Sequence, residues 1–257
     1  MKKMISIVVA ALMMFSVAAV TPEEVLEKAR TQTTVKTMAS DAEVNIQAPI
    51  GNTIEILKLR QYTGKNANDL QSSMMIFMGP PKHKNTRFLM IERADGSNDQ
   101  RVFLPSMGKS RRIATEAEGN NAFFGTDFSY NDIAFMSRAI SLDTHTFLPE
   151  ETYNGIECYV IESVPKNKKD TYSKSICKIA KSNNLLLCAE FFDKKGKAVK
   201  LIELLNYKNI DGVDTPMDVK MTTYATQSST VISIKKIQYG LKIPSSVFTT
   251  RYLETGK

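Results

Sequence analysis

The chain has 257 residues, 42% of them hydrophobic, with a formal net charge of +7, three cysteines, two histidines and no tryptophan. That apolar content suffices for a full core and excludes a disordered or fibrous chain. The moderate positive charge favours anionic partners such as lipid headgroups or acidic protein faces, and it falls short of a nucleic-acid-binding tail.

Lys2 and Lys3 precede an apolar run from Met4 to Phe15, broken only by Ser6, and Ser16-Val17-Ala18-Ala19 supplies small residues for a signal peptidase. The run is short for a membrane span of about 20 residues. Residues 1–19 are therefore expected to be a cleaved signal peptide, and 20–257 a single exported domain. No cysteine stands at the cleavage site, so the protein is not itself expected to be a lipoprotein.

Thr21-Pro22-Glu23-Glu24 starts a helix, with Thr21 as N-cap, Pro22 in the first turn and Glu24 three residues after the cap. Val25, Leu26 and Ala29 give that helix an apolar face, and it is expected to run to about Thr33. From Ala39 the pattern turns β. Strands are predicted at 41–47, 54–62, 74–78 and 86–93, and the continuous run Met74-Met75-Ile76-Phe77-Met78 predicts a strand buried on both faces. Asp95-Gly96 makes a hairpin turn.

The block from Asn98 to Asp132 is the centre of the chain. It holds a strand at Gln100–Leu104, a turn over Pro105–Lys109, extended chain at Ser110–Ile113, a polar loop, and Phe123-Phe124-Gly125-Thr126-Asp127-Phe128. Ser129 and Asp132 have capping-box spacing, which predicts a short helix from Tyr130. Arg111 and Arg112 are neighbours on a strand, so one should face inward and one outward. An inward guanidinium needs a partner, and Asp127 is the candidate.

Six further strands are predicted at 157–164, 172–180, 185–192, 199–207, 217–224 and 230–239, with His145 in a loop before them. Short turns between regularly spaced strands mean an antiparallel meander. Cys177 and Cys188 flank the Ser182-Asn183 turn symmetrically. If 181–184 is the loop they face each other closely enough to bridge, whereas a one-residue slip puts them on opposite faces. Buried reduced thiols are the other reading, and Cys158 is left over.

VFLPSMGKSRRI (102–113) and FFGTDFSYND (123–132) resemble the hallmark block of the periplasmic outer-membrane lipoprotein-sorting (LolA-like) family. Pro80-Pro81, Thr86–Leu89, YVIESVPK (159–166), Asp211-Gly212 and Phe248–Glu254 fit the same pattern. The resemblance implies an α+β, mainly β fold: a strongly curved antiparallel sheet, a half-open barrel, with a few helices covering its concave face. It implies a hydrophobic pocket lined by Met75, Phe77, Phe88, Met90, Phe103, Phe123, Phe124 and Phe128, where an ordinary core is the plainer reading. It also implies a polar latch among Arg111, Arg112 and Asp127 holding the cover shut.

The implied activity is transport in the periplasm. A monomeric carrier would hold acylated lipoprotein or phospholipid cargo between an inner-membrane transporter and an outer-membrane acceptor. The alternative is a non-enzymatic accessory or sensor subunit of an envelope transport complex that binds protein. No H-x-x-x-H, C-x-x-C or G-x-S-x-G pattern is present, and His83 and His145 lie far apart, so no enzyme, cofactor, metal or nucleic acid is expected.

Overall fold

The structure, a computed structural model, describes residues 20–257 except 34, 50, 67, 69 and 137. The expected signal peptide lies outside the described residues. Helix α1 (Pro22–Thr33) opens the chain, and strands β1 (Thr37–Gln47), β2 (Thr53–Lys65), β3 (Gln71–Gly79), β4 (Arg87–Glu92), β5 (Asn98–Leu104) and β6 (Lys109–Arg112) follow. Next come α2 (Thr115–Glu118), α3 (Tyr130–Phe135) and a 3-10 turn at Ile140–Leu142. The second run is β7 (Asp143–Tyr153), β8 (Ile156–Pro165), β9 (Lys174–Ala180), β10 (Leu186–Phe192), β11 (Ala198–Ile210), β12 (Val213–Thr223) and β13 (Ser228–Tyr239). A 3-10 turn at Ser245–Phe248 and α4 (Thr250–Thr255) end the chain.

All the strands form one 13-stranded sheet in the order β6-β5-β4-β3-β2-β1-β13-β12-β11-β10-β9-β8-β7. Each pair is antiparallel, and β6 and β7 are its open edges. Residues distant in that order share one core: Phe88 of β4 and Ile179 of β9 lie in a single buried cluster with Val25 of α1 and Phe128 of the α2–α3 segment. The sheet therefore curves around its contents, as an open, mainly β fold. Turn chemistry supports the meander. Asn154-Gly155 and Asp211-Gly212 both take positive φ at their two positions, as tight hairpins demand.

Local signals were sufficient at the helix starts. Thr21 N–H donates to Glu24 Oε2 (3.1 Å), and Thr21 Oγ1 accepts from Glu24 N–H (3.2 Å), the reciprocal capping box. Val25 and Ala29 then face the core.

A second core lies on the outer face. Met74, Leu89 and Phe103 pack against Val247 and Leu253 of the C-terminal turn and helix. This double cover explains the unbroken apolar run in β3: Met74 points out to α4, while Phe77 points in. Phe103 is thus corrected. It lies beneath the C-terminal helix, under the Arg87 guanidinium (4.8 Å), and not on the inner face. In β2 the core residues are Leu57 and Leu59, whereas Ile54 and Ile56 fall on the other face by alternation and are exposed. The expected loop around His145 is strand β7, an edge strand that accommodates Pro149 where its register shifts.

Cys177 opposes Ala189, and Cys188 opposes Lys178, because β10 carries an extra residue after Leu186. The bulge puts the two cysteines on opposite faces, and all three cysteines are free and buried. The expected Cys177–Cys188 bridge is therefore not formed. Burial pushes the Cys177 thiol up to about 12 and the Cys188 thiol up to about 11.

Candidate functional site: a covered concave face

The segment 113–136 leaves the sheet after β6 and lies over the inner face. Its fold is built from short-range bonds. Phe123 N–H donates to Phe128 O (2.7 Å), and the Thr126 hydroxyl donates to Phe123 O (2.7 Å), closing a tight aromatic turn. Phe124 sits at φ 52°, a left-handed conformation that a bulky side chain rarely adopts. The turn aims both rings at the sheet. Phe124 lies 4.4 Å from Phe77, and Phe123 lies 5.1 Å from Phe88 and 5.4 Å from Tyr130, between ring centroids. Edge-on and tilted rings at such distances attract each other beyond their burial.

Seven of the eight expected lining residues meet here: Met75, Phe77, Phe88, Met90, Phe123, Phe124 and Phe128 all belong to the inner cluster. Beneath the cover a cavity of about 50 Å³ remains, walled by Val44, Leu57, Met75, Phe123, Phe128 and Ile232. By the same measure one water needs about 10–15 Å³, so this space holds a few small atoms and no acyl chain. Phe77, Phe88 and Phe128 are fully buried and fill the core rather than line an open pocket.

Polar contacts hold the cover down. Asp127 N–H donates to Thr230 Oγ1 (2.9 Å), and the Asp127 carboxylate accepts from the Thr230 (2.8 Å) and Ser228 (2.6 Å) hydroxyls. Lys200 Nζ donates to Asp127 O (2.7 Å) and Asp132 Oδ2 (2.6 Å). Asp132 caps α3 as expected, receiving Ser129 N–H (2.7 Å), and also accepts from the Tyr172 hydroxyl (2.5 Å). Burial, then the neighbouring Asp132 charge, pushes the Tyr172 phenol above its ordinary value.

The arginines divide their work. Arg111 reaches Glu118 of the cover (2.8 Å), while Arg112 forms an ion pair with Asp99 within the sheet (2.9 Å). Both remain substantially exposed, so neither is the buried inward cation expected, and neither meets Asp127. Asp127 is held by hydroxyls instead. The Glu118 carboxyl is held below its usual range by the Ala114 N–H and by Arg111. The missed residues are Lys200, Tyr172 and Thr230. Lys200 was visible in principle, since it shares the inward register of β11 with Ile202 and Leu204, a cation on an apolar face.

His83 lies near Glu55 (3.6 Å), and His145 bonds Ser163 and the Ile140 carbonyl. Among the described residues no group of His, Cys, Asp and Glu could hold a metal ion, and no helix is long and apolar enough to cross a membrane.

A family model described as "Uncharacterized protein" matches residues 69–255. The chain belongs to this family. No curated protein sequence matches it. Solved structures share its fold, among them the following three. A domain described as an outer membrane lipoprotein-sorting protein, from Vibrio parahaemolyticus, has a TM-score of 0.82 at 22% identity, covering 90% of this chain and 97% of that one. A DUF1329 family protein from Desulfovibrio piger has 0.82 at 23%, covering 90% and 97%. A LolA superfamily protein from Nitrosomonas europaea has 0.72 at 22%, covering 91% and 100%. The chain thus shares its fold with these three structures, one of them a LolA superfamily protein, in line with the resemblance of the hallmark block.

Proposed function

We propose that this protein is a periplasmic carrier, exported by residues 1–19, that holds acyl chains of lipoproteins or lipids on its inner face for transfer towards the outer membrane. It does no covalent chemistry. The observation that carries the reading is the cover. An aromatic segment, joined to the sheet side by side-chain bonds at Asp127, Asp132 and Glu118, fills the place where a chain would lie.

Loading is an exchange. Burying an acyl chain of about sixteen carbons gains roughly 12 kcal/mol, at about 0.8 kcal/mol per methylene. Lifting Phe123, Phe128, Tyr130 and Ile133 off the sheet exposes four large apolar side chains, each worth about 1.5–3 kcal/mol. Together they come to about 6–12 kcal/mol, so the cover takes back half or more of what the cargo gains. Such an offset suits a carrier that must release what it takes. Membrane proteins at either end would supply direction: an inner-membrane transporter and an outer-membrane acceptor.

Native mass spectrometry of the mature protein from a periplasm, followed by organic extraction, tests this. Bound phospholipid or acylated peptide, reduced by Phe124→Asp, is the expected result. The filled inner core gives a second reading specific support: a non-enzymatic accessory or sensor subunit that binds protein. A mass that stays free of lipid after incubation with lipid, together with a stable protein complex, would favour it.

A further inference from the structure

A second opening lies between the β4–β5 turn, α3 and the β8–β9 loop. It is a cleft of about 870 Å³ whose walls mix polar and apolar groups, where the inner cavity's wall is largely apolar. Five side-chain amides line it: Asn98, Gln100, Asn120, Asn131 and Asn167. Gln100 is 2% exposed. Its Nε2 donates to the Tyr130 carbonyl (3.2 Å), which fixes the orientation of the amide, since a carbonyl can only accept. Gln100 Oε1 and Asn98 Oδ1 are buried without a hydrogen-bond partner among the described residues. Unmatched buried acceptors are rare, and a ligand that supplies the donors removes their cost.

The cleft's two arginines are already paired, and two lysines, Lys166 and Lys169, also line it. Arg138 is bound by Asp143 (2.7 Å) and Asp170 (2.5 Å), Arg112 by Asp99 (2.9 Å), and Lys166 donates to Ser141 O (2.7 Å). Guanidinium groups so engaged have little to offer an anionic head. The wall also includes Phe135 and Tyr172, aromatic surfaces against which the C–H face of a ring can pack. We propose that this cleft binds the neutral, hydroxyl-rich head of an amphiphile, a saccharide-like group whose O–H groups donate to Gln100 Oε1 and Asn98 Oδ1.

The inference rests on the carrier reading for the tail of that amphiphile. Asn120 and Asn131 belong to the cover, and they bond to each other (3.0 Å) and to Thr171 of the far wall. A head in the cleft therefore touches the segment that the tail must displace.

The mature protein is titrated with maltose while its side-chain amide NMR signals are followed. Shifts at Asn98 and Gln100, lost in Asn98→Leu and Gln100→Leu, are expected. Asn98→Leu leaves the Gln100–Tyr130 bond intact and keeps the test available if Gln100→Leu fails to fold. Binding of dodecyl maltoside and dodecylphosphocholine below their micellar concentrations is then compared. The maltoside should bind about tenfold tighter, equivalent to about 1.4 kcal/mol, and Asn98→Leu should abolish that preference. No maltose shift, shifts produced only by a neutral peptide, or equal binding of the two detergents overturns the proposal. If both detergents bind equally, the carrier reading survives alone. If maltose binds and the dodecyl chain adds nothing, the cleft stands and the carrier reading fails.

Discussion

Lys200→Met is the sharpest test of how the cover is held. The Lys200 side chain is 18% exposed and its partner Asp132 is 1% exposed, so the pair is largely shielded from water. Methionine keeps the unbranched stem and removes the charge. The buried carboxylate then loses its cation, and Asp127 O loses a donor. Breaking one side of a buried ion pair costs about 3–5 kcal/mol. Asp132 keeps the Ser129 N–H and the Tyr172 hydroxyl, so the lower end, about 3 kcal/mol, is expected. Urea unfolding gives the size of the loss, and hydrogen exchange gives its place: protection should fall first at 123–132 and not across the sheet. Adding Asp132→Asn should cost less than the two single losses together, because the pair is one unit. A loss below about 1 kcal/mol, or a uniform fall in protection, would refute the role of Lys200 in holding the cover.

Further expectations follow from the same contacts. Phe103→Ala should cost about 3 kcal/mol or more by opening the outer core, and limited proteolysis should then clip the C-terminal helix while lipid binding persists; loss of lipid binding without that clipping would restore Phe103 to the inner face. The raised Tyr172 pKa means that the native state keeps its phenol proton to higher pH than the unfolded chain does. Stability should therefore fall as pH rises past about 10, the unfolded tyrosine value. Tyr172→Phe should flatten that fall, as read by denaturant midpoints across alkaline pH. Mass mapping without reductant should find three free thiols that alkylate slowly until the protein is unfolded; a Cys177–Cys188 peptide would show that β10 pairs without its bulge.

What could be read from the sequence was what depends on near neighbours. The capping boxes at Thr21/Glu24 and Ser129/Asp132 need only a four-residue span, and both form. Strand alternation and turn residues gave the antiparallel meander in the same way. Misreadings came where distant chain decides. Val102 and Leu104 fall on one face of β5 and Phe103 on the other, and because α4 covers that other face Phe103 is buried too, so the strand alone could not say which way Phe103 points. The cysteine pairing turned on a single extra residue in β10, which reverses every side chain beyond it. Strand β7 was hidden by Pro149 and by polar residues that an edge strand tolerates. At the site, the aromatic cluster was legible as composition, but its anchor was not. Arg111 and Arg112 stand out as a pair, whereas Lys200 and Thr230 are single residues on distant strands that only the curved sheet brings under Asp127 and Asp132.

The central claim is that acyl chains lie between the cover and the inner face. Loading the mature protein with a phospholipid carrying a photoreactive group at the end of one acyl chain, then mapping the crosslinks, tests it most directly. The account predicts crosslinks on Leu59, Met75, Phe128 and Ile133, around the small cavity, which weaken when the cover is locked down by an engineered link between 127 and 230. Crosslinks confined to the exposed outer residues Ile54, Ile56 and Met78, or none at all from a lipid that binds, would contradict it.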